Sequence, residues 1–285
     1  MNQRTPDPES VVARRDAVHG SGDRLLAVLG LFAADTPQWT VEDAAVRLGV
    51  STTTTYRYFK KLTKAGLISP VAGAAYVLGP AIIQMDRLIQ AADPVLNAAR
   101  SVMIELARDA GEGATVLLCR LFHDRVMCVH QLMGRGPQEP VSYERGRLMP
   151  LYRGATSKII LAHLRPRTLK ALYAHNAVEI ASAGLGSDWE HFRRGLAAIR
   201  RAGVSVSHGE IDPGRIGVAA PIFDTDRAVL GSVSLALSAA HANDETIARL
   251  APLTVAGARE IERTMNSGPG QARPSPARVK IARSR

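Results

Sequence analysis

The chain is short of the residues that would place it in several familiar classes. Aromatic side chains are only 5% of its 285 residues, too few for the stacking platforms of proteins that hold nucleic acid without sequence preference. Its two cysteines, Cys119 and Cys128, imply no disulfide framework. They lie symmetrically about His123–Asp124, so a tight hairpin there would set them opposite each other as two reduced core thiols. The longest apolar stretch near the start, Leu25 to Ala34, has ten residues, about half of what a membrane-crossing helix needs. The first ten residues contain no apolar signal-peptide core, so a cytoplasmic protein without a membrane partner is expected. Acidic residues are also in deficit: 26 Asp and Glu face 36 Lys and Arg, leaving a net charge of +10. That balance makes polyanions plausible partners. Five of those charges, Arg273, Arg278, Lys280, Arg283 and Arg285, sit in an acid-free Pro/Gly-rich tail. Such a tail cannot build a core and is either solvated or an auxiliary arm against phosphates.

What remains is ample for two globular domains, with 46% apolar residues. Residues 1–20 read as a disordered arm, 21–79 as a winged helix-turn-helix and 80–93 as a linking helix. Residues 94–266 read as a second domain and 267–285 as the basic, disordered tail. In the first domain, Ser21 caps a helix carrying Leu25, Val28, Leu29 and Phe32 at helical spacing, and Thr40 caps a second with Val41, Ala44, Ala45 and Leu48. Gly49 ends that helix, a third runs from Ser51 to Ala65, and a short wing turns at Pro70 to Ala75. Asp93–Pro94 restarts the chain. The second domain alternates helices with strands, including a hairpin over Thr115–Leu121 and Arg125–Leu132 and helices over Gly154–Leu164 and Arg167–His175. The expected class is α/β in the α+β sense, an antiparallel sheet covered by helices.

The third helix carries the functional signal. On a wheel, Thr55, Tyr56, Phe59, Leu62 and Thr63 share the side expected to pack, while Thr53, Thr54, Arg57, Lys60, Lys61 and Lys64 share the other. That second face holds four cations, two hydroxyls and no acid. Short hydroxyls at a helix start approach base edges closely, an arginine forks onto guanine, and lysines a turn later clamp phosphates. A charged helix face is often merely solvated; the absence of acid and the order helix, turn, helix, wing favour DNA here. The residues expected to meet duplex DNA are Thr40, Ser51, Thr52, Thr53, Thr54, Tyr56, Arg57, Lys60, Lys61 and Lys64.

Several motifs in series resemble the IclR family of bacterial transcription regulators over about residues 21–266. They are Thr40, Ala45, Leu48, Gly49 and Ser51, then Tyr56–Arg57, Gly66–Leu67 and Tyr76 to Gly79. Met149 to Lys158, Gly203 to Glu210, Gly217 to Asp224 and Gly231 to Leu235 continue the series. The resemblance implies a winged helix joined by a helix to a GAF-like effector domain, acting as a homodimer or homotetramer on a partly palindromic operator. It places the effector pocket on Met149, Ala155, Thr156, His208, Gly217 and Ser234. Ser157 stands where the family usually has Gly, and Gly217 where many members have Cys, so the effector's identity does not carry over. The function so implied is an effector-controlled transcription regulator, expected to repress a catabolic operon, with no cofactor and no enzymatic activity.

The residues themselves support a pocket. In Ser232 to Ser238, Val233, Leu235 and Leu237 alternate with Ser232, Ser234, Ala236 and Ser238, giving one greasy and one small, hydroxylated strand face. The alternative is a sheet face open to water. Gly154 to Ser157 opens a helix whose free N–H groups suit the carboxylate of a small organic or aromatic acid. The rival is an enzyme: His208, Glu210 and Asp212 alternate as metal ligands on a strand edge do. Ser157 and Lys158 are adjacent and diverge on a helix, so the lysine is not placed to activate the serine. Gly111–Glu112–Gly113 lacks the remaining glycine of a dinucleotide loop.

Overall fold

The computed structural model describes residues 20–137 and 141–267. The arm expected over residues 1–20 therefore lies outside the described residues except for its last position, as does the basic tail from residue 268. The chain divides into two compact units, meeting in sequence between Ala92 and Asp93.

In the first unit, α1 (Ser21–Leu29), α2 (Val41–Leu48) and α3 (Thr52–Lys64) gather around Val28, Ala44, Phe59, Leu62 and Ile68. Thr40 caps α2 by accepting the Asp43 N–H at 3.1 Å, and Ser51 caps α3 by accepting that of Thr54 at 3.3 Å. Gly49, at φ 66°, takes the left-handed turn between them, which an L side chain adopts only under strain. The wing is β2 (Ile68–Pro70) and β3 (Ala75–Leu78), antiparallel with Ser69 opposite Val77. The sheet has a third strand that the sequence did not announce, β1 (Trp39–Thr40), paired with β3. Two residues offer no alternation to read. Helix α4 (Pro80–Ala92) closes the unit. Gly79 must be glycine, since a Cβ there would lie 2.2 Å from the Gly66 carbonyl oxygen.

One element of the wheel is corrected. Tyr58, not Tyr56, belongs to the packed side: Tyr58 is 7% exposed and Tyr56 56%. The buried positions of α3 are Thr55, Tyr58, Phe59 and Leu62, the i, i+3, i+4, i+7 stripe facing α1 and α2. Phe59 meets Tyr76 of the wing edge-on at 4.9 Å, which leaves Tyr56 on the flank.

The second unit is built on a six-stranded sheet of order β6-β5-β4-β9-β8-β7. These are β4 (Thr115–Phe122), β5 (Arg125–Met133), β6 (Leu148–Met149), β7 (Ser205–His208), β8 (Arg215–Phe223) and β9 (Val229–Ser238), every neighbouring pair antiparallel. Alternation divides the side chains. Val116, Leu118, Val218, Val233 and Leu235 face α5 (Pro94–Ala110) and α9 (Asp244–Ser267). Leu117, Cys119 and Ala219 face α6 (Ala155–Ala162) and α8 (Trp189–Ala202). The hydroxylated face of β9 is therefore not open to water: Ser232 and Ser234 are fully buried beneath α6. Cys119 and Cys128 are register partners, both buried and free. Burial, and then the hydrogen bond to Cys128, push the Cys119 thiol above its ordinary pKa.

Helix α7 (Pro166–Ser182) runs about two turns beyond the expected His175. The polar pair His175–Asn176 looked like an end. Instead the backbone kinks at Asn176 (φ −132°), whose side chain donates to the Leu172 carbonyl at 2.8 Å, and the helix resumes. The two-residue β6 was also missed, for the same reason as β1. Among the described residues no helix is long and apolar enough to cross a membrane.

Candidate nucleic-acid interface and effector cavity

In the first unit, Thr52, Thr53, Tyr56, Arg57, Lys60, Lys61 and Lys64 are all exposed along α3. None of the four cations pairs with a carboxylate among the described residues. Their free charge is the property a phosphate backbone requires. Thr40, Ser51 and Thr54 behave differently. The Thr40 hydroxyl donates to Asp43 at 2.7 Å and the Ser51 hydroxyl to Thr54 at 2.9 Å, so Thr40 and Ser51 first serve as caps and Thr54 as the partner of Ser51. Between the N-termini of α2 and α3 and the wing lies a cleft of about 470 Å³, lined by Thr52, Thr53, Tyr56, Pro70 and Tyr76 among others. The exposed Tyr56 ring forms part of its wall.

In the second unit, a cavity opens where the N-terminus of α6 meets β7 and β8. Ala155, Thr156 and Gly217 line it, together with Tyr143, Ser207, Glu210, Ile211, Asp212 and Arg215. Ser234 sits just behind, hydrogen-bonded to Thr156 at 2.9 Å. Met149 is buried in the adjoining core and His208 is exposed at the end of β7; neither lines the cavity. Gly217 has a local reason: a Cβ there would meet Ser207 Oγ at 2.8 Å and the Ala155 Cβ at 3.2 Å. The volume is about 40 Å³, room for a few waters, against about 300–1,000 Å³ for typical ligand sites.

The reason for this small volume is chemical. The free N–H groups expected at the start of α6 are satisfied from within the chain. Gly154 N–H donates to Glu210 Oε2 at 2.9 Å, Ala155 N–H donates to Ser207 Oγ at 3.0 Å, and Lys158 forms an ion pair with Glu210 Oε1. Asp212 accepts both the N–H (2.9 Å) and the hydroxyl of Ser142. A protein carboxylate thus stands where the sequence suggested a ligand's. The same contacts bear on the metal reading. Glu210 and Asp212 turn to different partners, and among the described residues no group of three His, Cys, Asp or Glu side chains could hold a metal ion. Opposite, the Tyr143 hydroxyl meets Ser157 Oγ at 2.9 Å, and burial keeps the phenol's pKa far above its usual range. Arg215, nearly buried, donates to the Gly113 carbonyl at 3.2 Å. Tyr143, Ser207, Ile211 and Arg215 gave no signal in sequence, because they come together at the cavity only once the unit has folded.

A winged helix-turn-helix with an acid-free cationic helix, followed by a separate sheet domain, defines a class: DNA-binding regulators. The model of the IclR helix-turn-helix domain matches residues 21–71, and that of the bacterial transcriptional regulator IclR C-terminal domain matches residues 89–263. The chain belongs to the IclR family of transcription regulators. It is 26% identical over 239 residues to the HTH-type transcriptional regulator KipR of Bacillus subtilis, covering 84% of this chain and 94% of that one. An IclR transcriptional regulator from Alicyclobacillus acidocaldarius superposes with a TM-score of 0.70 at 26% identity, covering 86% and 98% of the two chains. An IclR homologue from Microbacterium hydrocarbonoxydans, solved as a complex with 4-hydroxybenzoate, shares the fold (TM-score 0.68, 20% identity, 87% and 100% covered).

Proposed function

We propose that this regulator represses a catabolic operon by binding a partly palindromic operator as a homodimer, alone or paired into a tetramer. A small organic or aromatic acid entering the α6 cavity releases it. The observation that carries the reading is the cationic flank of α3, unpaired among the described residues, with Arg57 one turn beyond the hydroxylated start and Lys60, Lys61 and Lys64 following. Helix α4 supports a second copy: none of its residues is buried within its own chain, and Ile83, Met85, Leu88 and Ile89 are all at least half exposed. The acid supplies a carboxylate that replaces Glu210 at the Gly154 N–H and Lys158. Residues 209–214 then move away, with Gly209 (φ 62°) and Gly214 (φ 77°) at either end. The relative bound to 4-hydroxybenzoate supports an acid of this type. Such a ligand shifts the DNA-binding state only if it binds the released arrangement more tightly.

The test is a mobility-shift assay at moderate ionic strength with DNA from upstream of the gene and its neighbours, followed by footprinting. One protected palindrome, released by 4-hydroxybenzoate or a related acid, is the expected result. Equal affinity for every fragment would overturn the reading.

A further inference from the structure

At the far ends of α6 and β8 from the effector cavity, roughly 12 Å away along the helix, a second concavity of about 350 Å³ opens in the same unit. That lies within the range of small-molecule sites, about 300–1,000 Å³. Three guanidinium groups reach it from three different elements: Arg200 from α8, Arg227 from the β8–β9 turn and Arg259 from α9. One carboxylate, Glu262, lines it and is already engaged. Its Oε1 accepts the Phe223 N–H at 3.0 Å and its Oε2 lies 3.5 Å from Arg227. Arg200 makes one long hydrogen bond, 3.2 Å, to the Ala162 carbonyl, and Arg259 has no partner among the described residues.

The wall is aromatic. The Phe223 ring meets His163 edge-on at 5.0 Å, and the Arg227 guanidinium lies over it at 4.3 Å. His163 registers the local field. Its imidazole is held below its ordinary pKa by burial first, and then by Arg200 and Arg227 against a hydrogen bond from its ring to the Ile159 carbonyl. Glu262 is shared between the Phe223 N–H and Arg227, so among the described residues Arg200 and Arg259 face the concavity with no carboxylate partner.

We propose that this cleft is a second small-molecule site, taking an organic anion whose phosphate or carboxylate is gripped by Arg200, Arg227 and Arg259 and whose flat body lies against Phe223 and His163. Guanidinium forks match both oxyanions in a bidentate way, and the ring wall supplies apolar area beside the charge. The concave, aromatic-walled form fits a small molecule better than a duplex backbone, which needs an open cationic surface.

The experiment is calorimetry of the full-length, DNA-free protein with phenyl phosphate, inorganic phosphate and benzoate. Phenyl phosphate should saturate at one site per chain and bind more tightly than inorganic phosphate, because the ring adds contact. Benzoate heat that the Arg200→Ala/Arg259→Ala double variant loses would assign the cleft to carboxylates, whereas benzoate heat that survives in it belongs to the α6 cavity and leaves the cleft to phosphate esters. The Arg200→Ala/Arg259→Ala double variant should lose at least tenfold in affinity while melting normally and keeping its operator binding. Independently of any variant's folding, saturation with phenyl phosphate should raise the His163 pKa in ring-proton NMR, since the anion offsets Arg200, Arg227 and Arg259. Three results each overturn the proposal: no saturable heat, heat unchanged in the double variant (anions on α3 instead), or loss of operator affinity in that variant, which would give the cleft to DNA.

Discussion

Replacing Glu210 with glutamine tests the switch most directly, because stability and ligand affinity should move in opposite directions. The amide keeps the side chain's shape and can still accept the Gly154 N–H, but it removes the charge facing Lys158. The Lys158 side chain is 13% exposed and that of Glu210 28%, so the pair lies between two limits. Breaking a fully buried pair costs about 3–5 kcal/mol, and an exposed pair contributes about 0–1 kcal/mol. A loss of about 1–3 kcal/mol follows, which for a domain of this size lowers the melting temperature by about 2–12 °C. An acid entering the wild-type cavity must expel the Glu210 carboxylate from two cationic or N–H partners; in Glu210→Gln it meets only a neutral amide. Its affinity should rise about tenfold, equivalent to about 1.4 kcal/mol. Calorimetry with 4-hydroxybenzoate, beside thermal melts of both proteins, reads both quantities. A variant that is less stable and binds the acid equally or more weakly would refute displacement, and Glu210 would then be a fixed structural member of the cavity.

Arg57→Ala should weaken operator binding by about 1–3 kcal/mol and relax base preference at one position, whereas Lys64→Ala should weaken all DNA alike and lower the salt slope by about 1; titrations at several salt concentrations separate the two. Gly217→Ala should push the Ser207 hydroxyl from the Ala155 N–H and crowd Ala155, costing about 1–3 kcal/mol and abolishing acid binding, as melts and calorimetry would show. His163 and His130 both have lowered pKa values, burial being the first cause in each. They favour the fold when neutral, so their contribution is complete above the ordinary imidazole pKa of 6.5 and is lost as pH falls through the lowered values. Thermal melts from pH 7.5 down to 5 should show this loss, and His163→Gln with His130→Gln should flatten it.

Much of the fold was legible because its signals are local. Thr40, Gly49 and Ser51 mark the helix-turn-helix by capping and turn chemistry that depends on neighbours a few residues away. The hairpin turns at His123–Asp124, and Cys119 stands opposite Cys128 as their symmetric spacing about that turn requires. The misreadings fall where local signals run out. Tyr56 and Tyr58 flank the Thr55–Phe59–Leu62 stripe on opposite sides; Tyr58 completes its i, i+3, i+4, i+7 spacing, and packing against α1 and α2 buries it. His175–Asn176 reads as a terminus until a hydrogen bond to the previous turn carries the helix on. β1 and β6 are too short for any period.

Connectivity along the chain therefore settles which segments are helix, which are strand and which helix face carries only positive charge, because caps, periods and charge patterns act over one or two turns. The content of the cavity is settled differently. Glu210 meets Lys158 across 52 residues and Asp212 meets Ser142 across 70. Those contacts exist because α6 lies across β7, β8 and β9 once the sheet has formed. A helix start that reads as an empty anion site in one dimension is, in the folded unit, closed by a carboxylate from a distant turn.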